Sequence, residues 1–170
     1  MKNPFDFFEI EPSLAIDLKQ LRMKFLEIQR NSHPDFGGTD ATDSELANQF
    51  YEKLKDPIYR IQILLELYSN KQLNDNVLPP DFLMEMMELN DLIDDSKSGD
   101  EAATKSALST LDLLKSDLDQ NFDDLAMVWE SQKTNSSPKD DQFWNHQIVL
   151  YQKYKYWSRL RKNFDGVEEI

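Results

Sequence analysis

The stretch EIQRNSHPDFGGTD, residues 27–40, sets His33, Pro34 and Asp35 side by side in a chain whose only other histidine is His146. A histidine next to a carboxylate is the raw material of general-base catalysis, the acid orienting the imidazole. That chemistry also needs a nucleophile or a substrate pocket, and the sequence has no Cys, no G-x-S-x-G elbow and no Gly-rich phosphate loop. Pro34 removes a backbone donor and fixes the local turn, so the two flanking side chains need not face each other. No enzymatic activity is expected. Metal binding fares no better, because two histidines without H-E-x-x-H spacing make no zinc site. In DDSKSGDEAATK, Asp94 and Gly99 take the first and sixth positions of a calcium loop, but the twelfth is Lys105 where a bidentate Glu is required. The chain is expected to carry neither metal nor cofactor.

Pro34 holds its own φ near about −65° and pushes His33 out of the helical region. The tripeptide thus presents two polar side chains in a nearly fixed pose, and such rigidity lowers the entropy cost of docking on a partner. The helix leading into it adds a second feature. Lys19, Arg22 and Arg30 form a strip roughly 120° round from the centre of its apolar face. Strip and loop together describe a docking surface for an acidic partner, steered by charge and weakened by salt.

The elements that must position these residues are helical throughout. Nearly every segment between breakers repeats apolar residues at the helical period, and none alternates like a strand. PFDFFEIEP allows a turn or two of helix. Residues 17–31 form an amphipathic helix with Leu18, Leu21, Phe25 and Ile28 as its buried face. A returning helix begins between Thr39 and Asp43, and Pro57 opens a further one, IYRIQILLELY. The polar, turn-rich SNKQLNDNVLPPD separates an N-terminal domain (1–70) from a C-terminal one (81–170), with 71–80 as linker. Three helices follow, over about 81–95, 100–131 and 139–164, joined by short polar breaks as in an antiparallel bundle.

On the first of these, Phe82, Met86, Leu89 and Ile93 make a core stripe. Leu83, Met84 and Met87 lie on a different face, which Glu88, Asp91 and Asp95 extend. Either the neighbouring helices bury both faces, or the second is an acid-rimmed partner site to which flexible methionines are suited. The aromatic density of the last helix (Trp144, Tyr151, Tyr154, Trp157) reads as core.

With 170 residues, 39% of them hydrophobic and 30% charged, the chain is long enough for a buried core. A net charge of −13 argues against general nucleic-acid binding. Charge is uneven: 13 acids against three Lys between Asp81 and Asp124, then five bases and no acid between Gln142 and Phe164. The basic last helix is expected to pack beside the acidic ones. No apolar run approaches the roughly 18 residues of a membrane span, and MKNPFDFFEIEPS lacks a secretory apolar stretch. Cytoplasmic residence, or the mitochondrial matrix in a eukaryote, is the expectation.

A basic amphipathic helix, an HPD loop and a returning helix that ends ANQFYEKLKDP (Asn48, Tyr51, Leu54, Pro57) resemble a J-domain. That module docks on DnaK-type (heat-shock-seventy class) ATPases. With IYRIQILLEL and PPDFLMEMMELNDLIDD added, essentially the whole chain resembles HscB, the J-type co-chaperone of iron–sulfur cluster assembly. The resemblance implies an all-α fold, an N-terminal J-domain followed by a C-terminal three-helix bundle. It implies that His33, Pro34 and Asp35, with Lys19, Arg22 and Arg30, meet an HscA-like chaperone and stimulate its ATPase. It further implies that Leu83, Met84, Met87, Glu88, Asp91 and Asp95 bind the IscU-like scaffold protein on which clusters are built. Tyr156 falls where the family has an aromatic residue touching that scaffold. Four positions depart from the family pattern: Phe36 replaces a frequent Lys after HPD, Met87 a usual Leu, and Asp91 and Asp95 the usual Glu. The competing expectations are a J-domain protein with a different client, and an adaptor of helices whose HPD is an inert turn.

Overall fold

Short polar side chains start several of the helices. Asp56 accepts from the Ile58 amide at 2.9 Å with Pro57 directly behind it, a Pro-opened helix whose orphan donors are capped. Asp100 accepts from the amides of Ala102 (2.8 Å) and Ala103 (3.0 Å), and Asp140 from that of Phe143 (2.8 Å). Gly166 closes the last helix at φ 72°, a left-handed conformation that glycine adopts without steric cost.

The computed structural model describes residues 3–32, 41–74, 78–133 and 140–166. Among them lie α1 (Pro4–Phe7), α2 (Leu18–Ser32), α3 (Ala41–Lys55), α4 (Pro57–Tyr68), α5 (Pro80–Lys97), α6 (Glu101–Lys133) and α7 (Asp141–Asp165), and no strand. The fold is all-α, as expected from the periodicity. The chain divides into two compact units, one of Met1–Asn70 with Ala126–Ser137, the other of Lys71–Leu125 with Pro138–Ile170. The last turns of α6, expected to belong to the C-terminal bundle, cluster with the first unit.

In the first unit α2 and α3 run in opposite directions. Phe25 stacks on Tyr51 with centroids 4.4 Å apart. Nearer the connection, Gln29 and Ser44 bond reciprocally: the Gln29 amide donates to the Ser44 carbonyl (3.0 Å), and the Ser44 hydroxyl donates to Gln29 Oε1 (2.7 Å). Phe5, Phe8, Leu14, Leu21, Leu54, Ile61 and Leu64 are essentially inaccessible and form the core, each such side chain contributing about 1.5–3 kcal/mol of burial. Leu18 departs from the expected apolar face: it is 52% exposed. It opens α2 and sits at the edge of the apolar sector nearest the basic strip. Arg60 is buried at the corner of α3 and α4, donating to the carbonyls of Leu14 (2.7 Å), Leu54 (2.6 Å) and Lys55 (3.2 Å).

The second unit is a three-helix bundle with α6 opposed to both neighbours. Ser96 and Thr104 are hydrogen-bonded across the α5–α6 turn. Trp157 donates to the Leu111 carbonyl (2.9 Å), and the Tyr154 hydroxyl donates to Asp119 (2.6 Å). The expected stripe of Phe82, Met86, Leu89 and Ile93 is buried against Ala107, Leu111 and Leu160. In α7, Trp144 and Tyr154 are core, while Tyr151 and Trp157 are half-buried.

Candidate functional site

Two surfaces hold the residues that the sequence singles out. The first is the outer side of α2. Lys19, Arg22 and Arg30 are all exposed there, and none of their side chains forms an ion pair among the described residues. Lys24, one strip over, differs: its ammonium reaches Glu9 at 3.1 Å. Between the free cations stand Met23, 65% exposed, and Leu26, 53% exposed. Neither was expected on this face, although projecting every apolar residue of α2, and not only the periodic ones, places both within it. His33, Pro34, Asp35 and Phe36 fall outside the described residues.

The second surface is the outer side of α5. Its inner stripe is fully committed to the bundle, which fixes the rotation of the helix and forces Met84 and Met87 outward, 62% and 66% exposed. Leu83 is half-buried; Glu88, Asp91 and Asp95 are exposed. Tyr156 comes from α7, edge-on to Phe82 with centroids 6.1 Å apart, and is part of the wall of the same core. Met87, Asp91 and Tyr156 meet in an open cleft of about 750 Å³ between α5 and α7, whereas Glu88 faces the groove between α5 and α6.

Sequence reasoning missed the other wall of this cleft. Arg159 lies over the Tyr156 ring, its guanidinium carbon 4.3 Å from the centroid, and Lys97 and Lys162 line the same space. Two residues along, Arg161 points elsewhere. Its hydrogen bond to Asp165 (2.9 Å) holds the guanidinium above its ordinary pKa against the opposing pull of burial, with the Asp165 and Asp112 charges reinforcing. Arg161 also reaches Asp112 of α6 at 3.4 Å, so the basic last helix does meet an acidic neighbour. Among the described residues, no group of three His, Asp or Glu is placed to hold a metal, and no helix is long and apolar enough to cross a membrane.

The arrangement offers binding chemistry: a cationic helix face interleaved with apolar atoms, and an apolar patch with a charged cleft beside it. Residues 78–165 match the family model of the HSCB C-terminal oligomerisation domain. A co-chaperone protein HscB homolog of Vibrio vulnificus (strain YJ016) is 30% identical, over 98% of this chain and 97% of its own length. The mitochondrial J-type co-chaperone JAC1 of Saccharomyces cerevisiae is 28% identical, over 90% of this chain and 79% of its own. The crystal structure of the human co-chaperone protein HscB superposes with a TM-score of 0.70 at 23% identity, covering 98% of this chain and 82% of that one.

Proposed function

Because the chain belongs to the HscB family of co-chaperones, we propose that it joins a DnaK-type, HscA-like chaperone to an IscU-like iron–sulfur scaffold protein. The chain itself is no enzyme and holds no cofactor. The cationic face of α2, continued by His33, Pro34 and Asp35, docks on the ATP form of the chaperone and biases it toward hydrolysis. The outer side of α5 carries the scaffold protein. Holding both partners on one chain raises their effective concentration for each other without any new contact between them.

The observation that carries this reading is the exposure of Met84 and Met87 on a helix whose opposite side is already core. Two large apolar side chains left in water beside carboxylates mark a surface that something else covers. Lys19, Arg22 and Arg30, exposed and without an ion pair among the described residues in a chain of charge −13, support the chaperone end.

His33→Gln tests the chaperone end. Steady-state ATP turnover of the partner chaperone is expected to lose its stimulation, while calorimetry still finds the scaffold protein bound and circular dichroism finds the fold unchanged. Full stimulation by that variant would leave an adaptor with an inert turn. A pull-down that returns the chaperone with a different client would keep the J-type function and replace the scaffold.

A further inference from the structure

The cleft beside Met87 inverts the charge of the molecule. The chain has 32 acids against 19 Lys and Arg, yet among the described residues the cleft is lined by Lys97, Arg159 and Lys162 and by one acid, Asp91. Among the described residues, local neutralisation does not account for these cations. Lys97 donates to Asn163, an uncharged acceptor. Arg159 is exposed and has no ion pair among the described residues, whereas Arg161 is held by Asp165 and Asp112. A guanidinium held over an aromatic ring by its central carbon keeps N–H donors free to grip both oxygens of a carboxylate. Tyr156 is itself anchored against Phe82 in the bundle core. Arg159 is therefore presented from a fixed platform instead of a freely swinging stem.

We infer that Arg159, seated on Tyr156, receives a carboxylate from an acidic segment of the scaffold protein, with Lys97 and Lys162 extending the positive wall. The inference rests on the scaffold reading above and adds to it a direction. Glu88, Asp91 and Asp95 make the α5 edge negative, while α7 makes the opposite edge positive. An apolar segment lying over Met84 and Met87 then fits in one orientation, acid toward α7, and like charges meet in the reverse one. Arg159 is a specificity determinant, and the methionines supply the burial.

The test is calorimetry of the full-length chain against the purified scaffold protein of the same organism, repeated at several salt concentrations. Arg159→Glu is expected to weaken binding about tenfold and to flatten its salt dependence, and Arg159→Gln to weaken it about threefold. Arg161→Gln, which removes contacts to Asp112, Asp165 and the Phe164 ring outside the cleft, keeps parental affinity. Should Arg159→Glu prove poorly folded by circular dichroism, Lys162→Glu takes its place with the same expected flattening. Parental affinity and salt slope in the Arg159 variants overturn the inference, provided that Met84→Ala with Met87→Ala still weakens binding; the scaffold reading then survives. If the methionine variant also binds like the parent, the scaffold reading falls and the inference with it. Sedimentation showing that Arg159→Glu changes only self-association would make a second copy the occupant and would likewise overturn it.

Discussion

The outer face of α2 and the outer face of α5 solve the problem of being recognised with opposite materials. On α2 Lys19, Arg22 and Arg30 are exposed and form no ion pair among the described residues, so recognition there begins at long range through charge. On α5 two methionines stand beside a cleft, so recognition there depends on contact and the exclusion of water. Under the proposed function, one face sets how fast a partner arrives and the other how long it stays. A carrier that keeps its cargo while meeting a chaperone transiently would be served by that division.

The division can be broken from either side. The largest effect is expected from Met84→Ala with Met87→Ala, which should cost about 2–3 kcal/mol of scaffold affinity, roughly a hundredfold, mostly in the dissociation rate. Stimulation of the chaperone by the same variant should match the parent; a parallel loss would mean that the two faces are not separate. Next in size is salt. Going from about 0.1 to about 1 M shrinks the Debye length from about 10 to about 3 Å, and stopped-flow association with the chaperone should slow about tenfold. Scaffold dissociation should change far less, and equal salt sensitivity at both faces would erase the contrast.

The smallest effect concerns the interiors behind the faces. In the first unit the buried Arg60 and Ser13 are hydrogen-bonded. In the second unit Gln147 is fully buried, and neither its amide oxygen nor its nitrogen has a partner among the described residues. Gln147→Leu removes two unmet polar atoms at similar volume and should raise stability by about 1 kcal/mol in urea titration. A loss of similar size would mean that the amide is satisfied in solution.

Much of this was legible beforehand because helices advertise themselves. The stripe of Phe82, Met86, Leu89 and Ile93 has a helical period, so its burial could be read off, whereas the period alone left open whether a neighbouring helix covers Met84 and Met87. Pro57 marked the start of α4 by its chemistry alone. What stayed hidden depends on which helix lies beside which. Arg159 and Asp91 are 68 positions apart in sequence and share a cleft only because α5 packs on α7. Leu18 has the right period and the wrong place, in the first turn and at the sector's edge. The apolar pattern of α6 continues unchanged past Ala126, and only tertiary packing hands its end to the first unit.

Arg60 has a consequence for how such experiments are read. A guanidinium does not titrate at any pH a cell meets, and the three peptide oxygens that receive it carry no proton to lose. Buried as it is, the knot is also out of reach of dissolved ions. At the corner where the chain before α2, the end of α3 and the start of α4 converge, these three bonds are thus indifferent to acidity and ionic strength. A change of buffer leaves them in place.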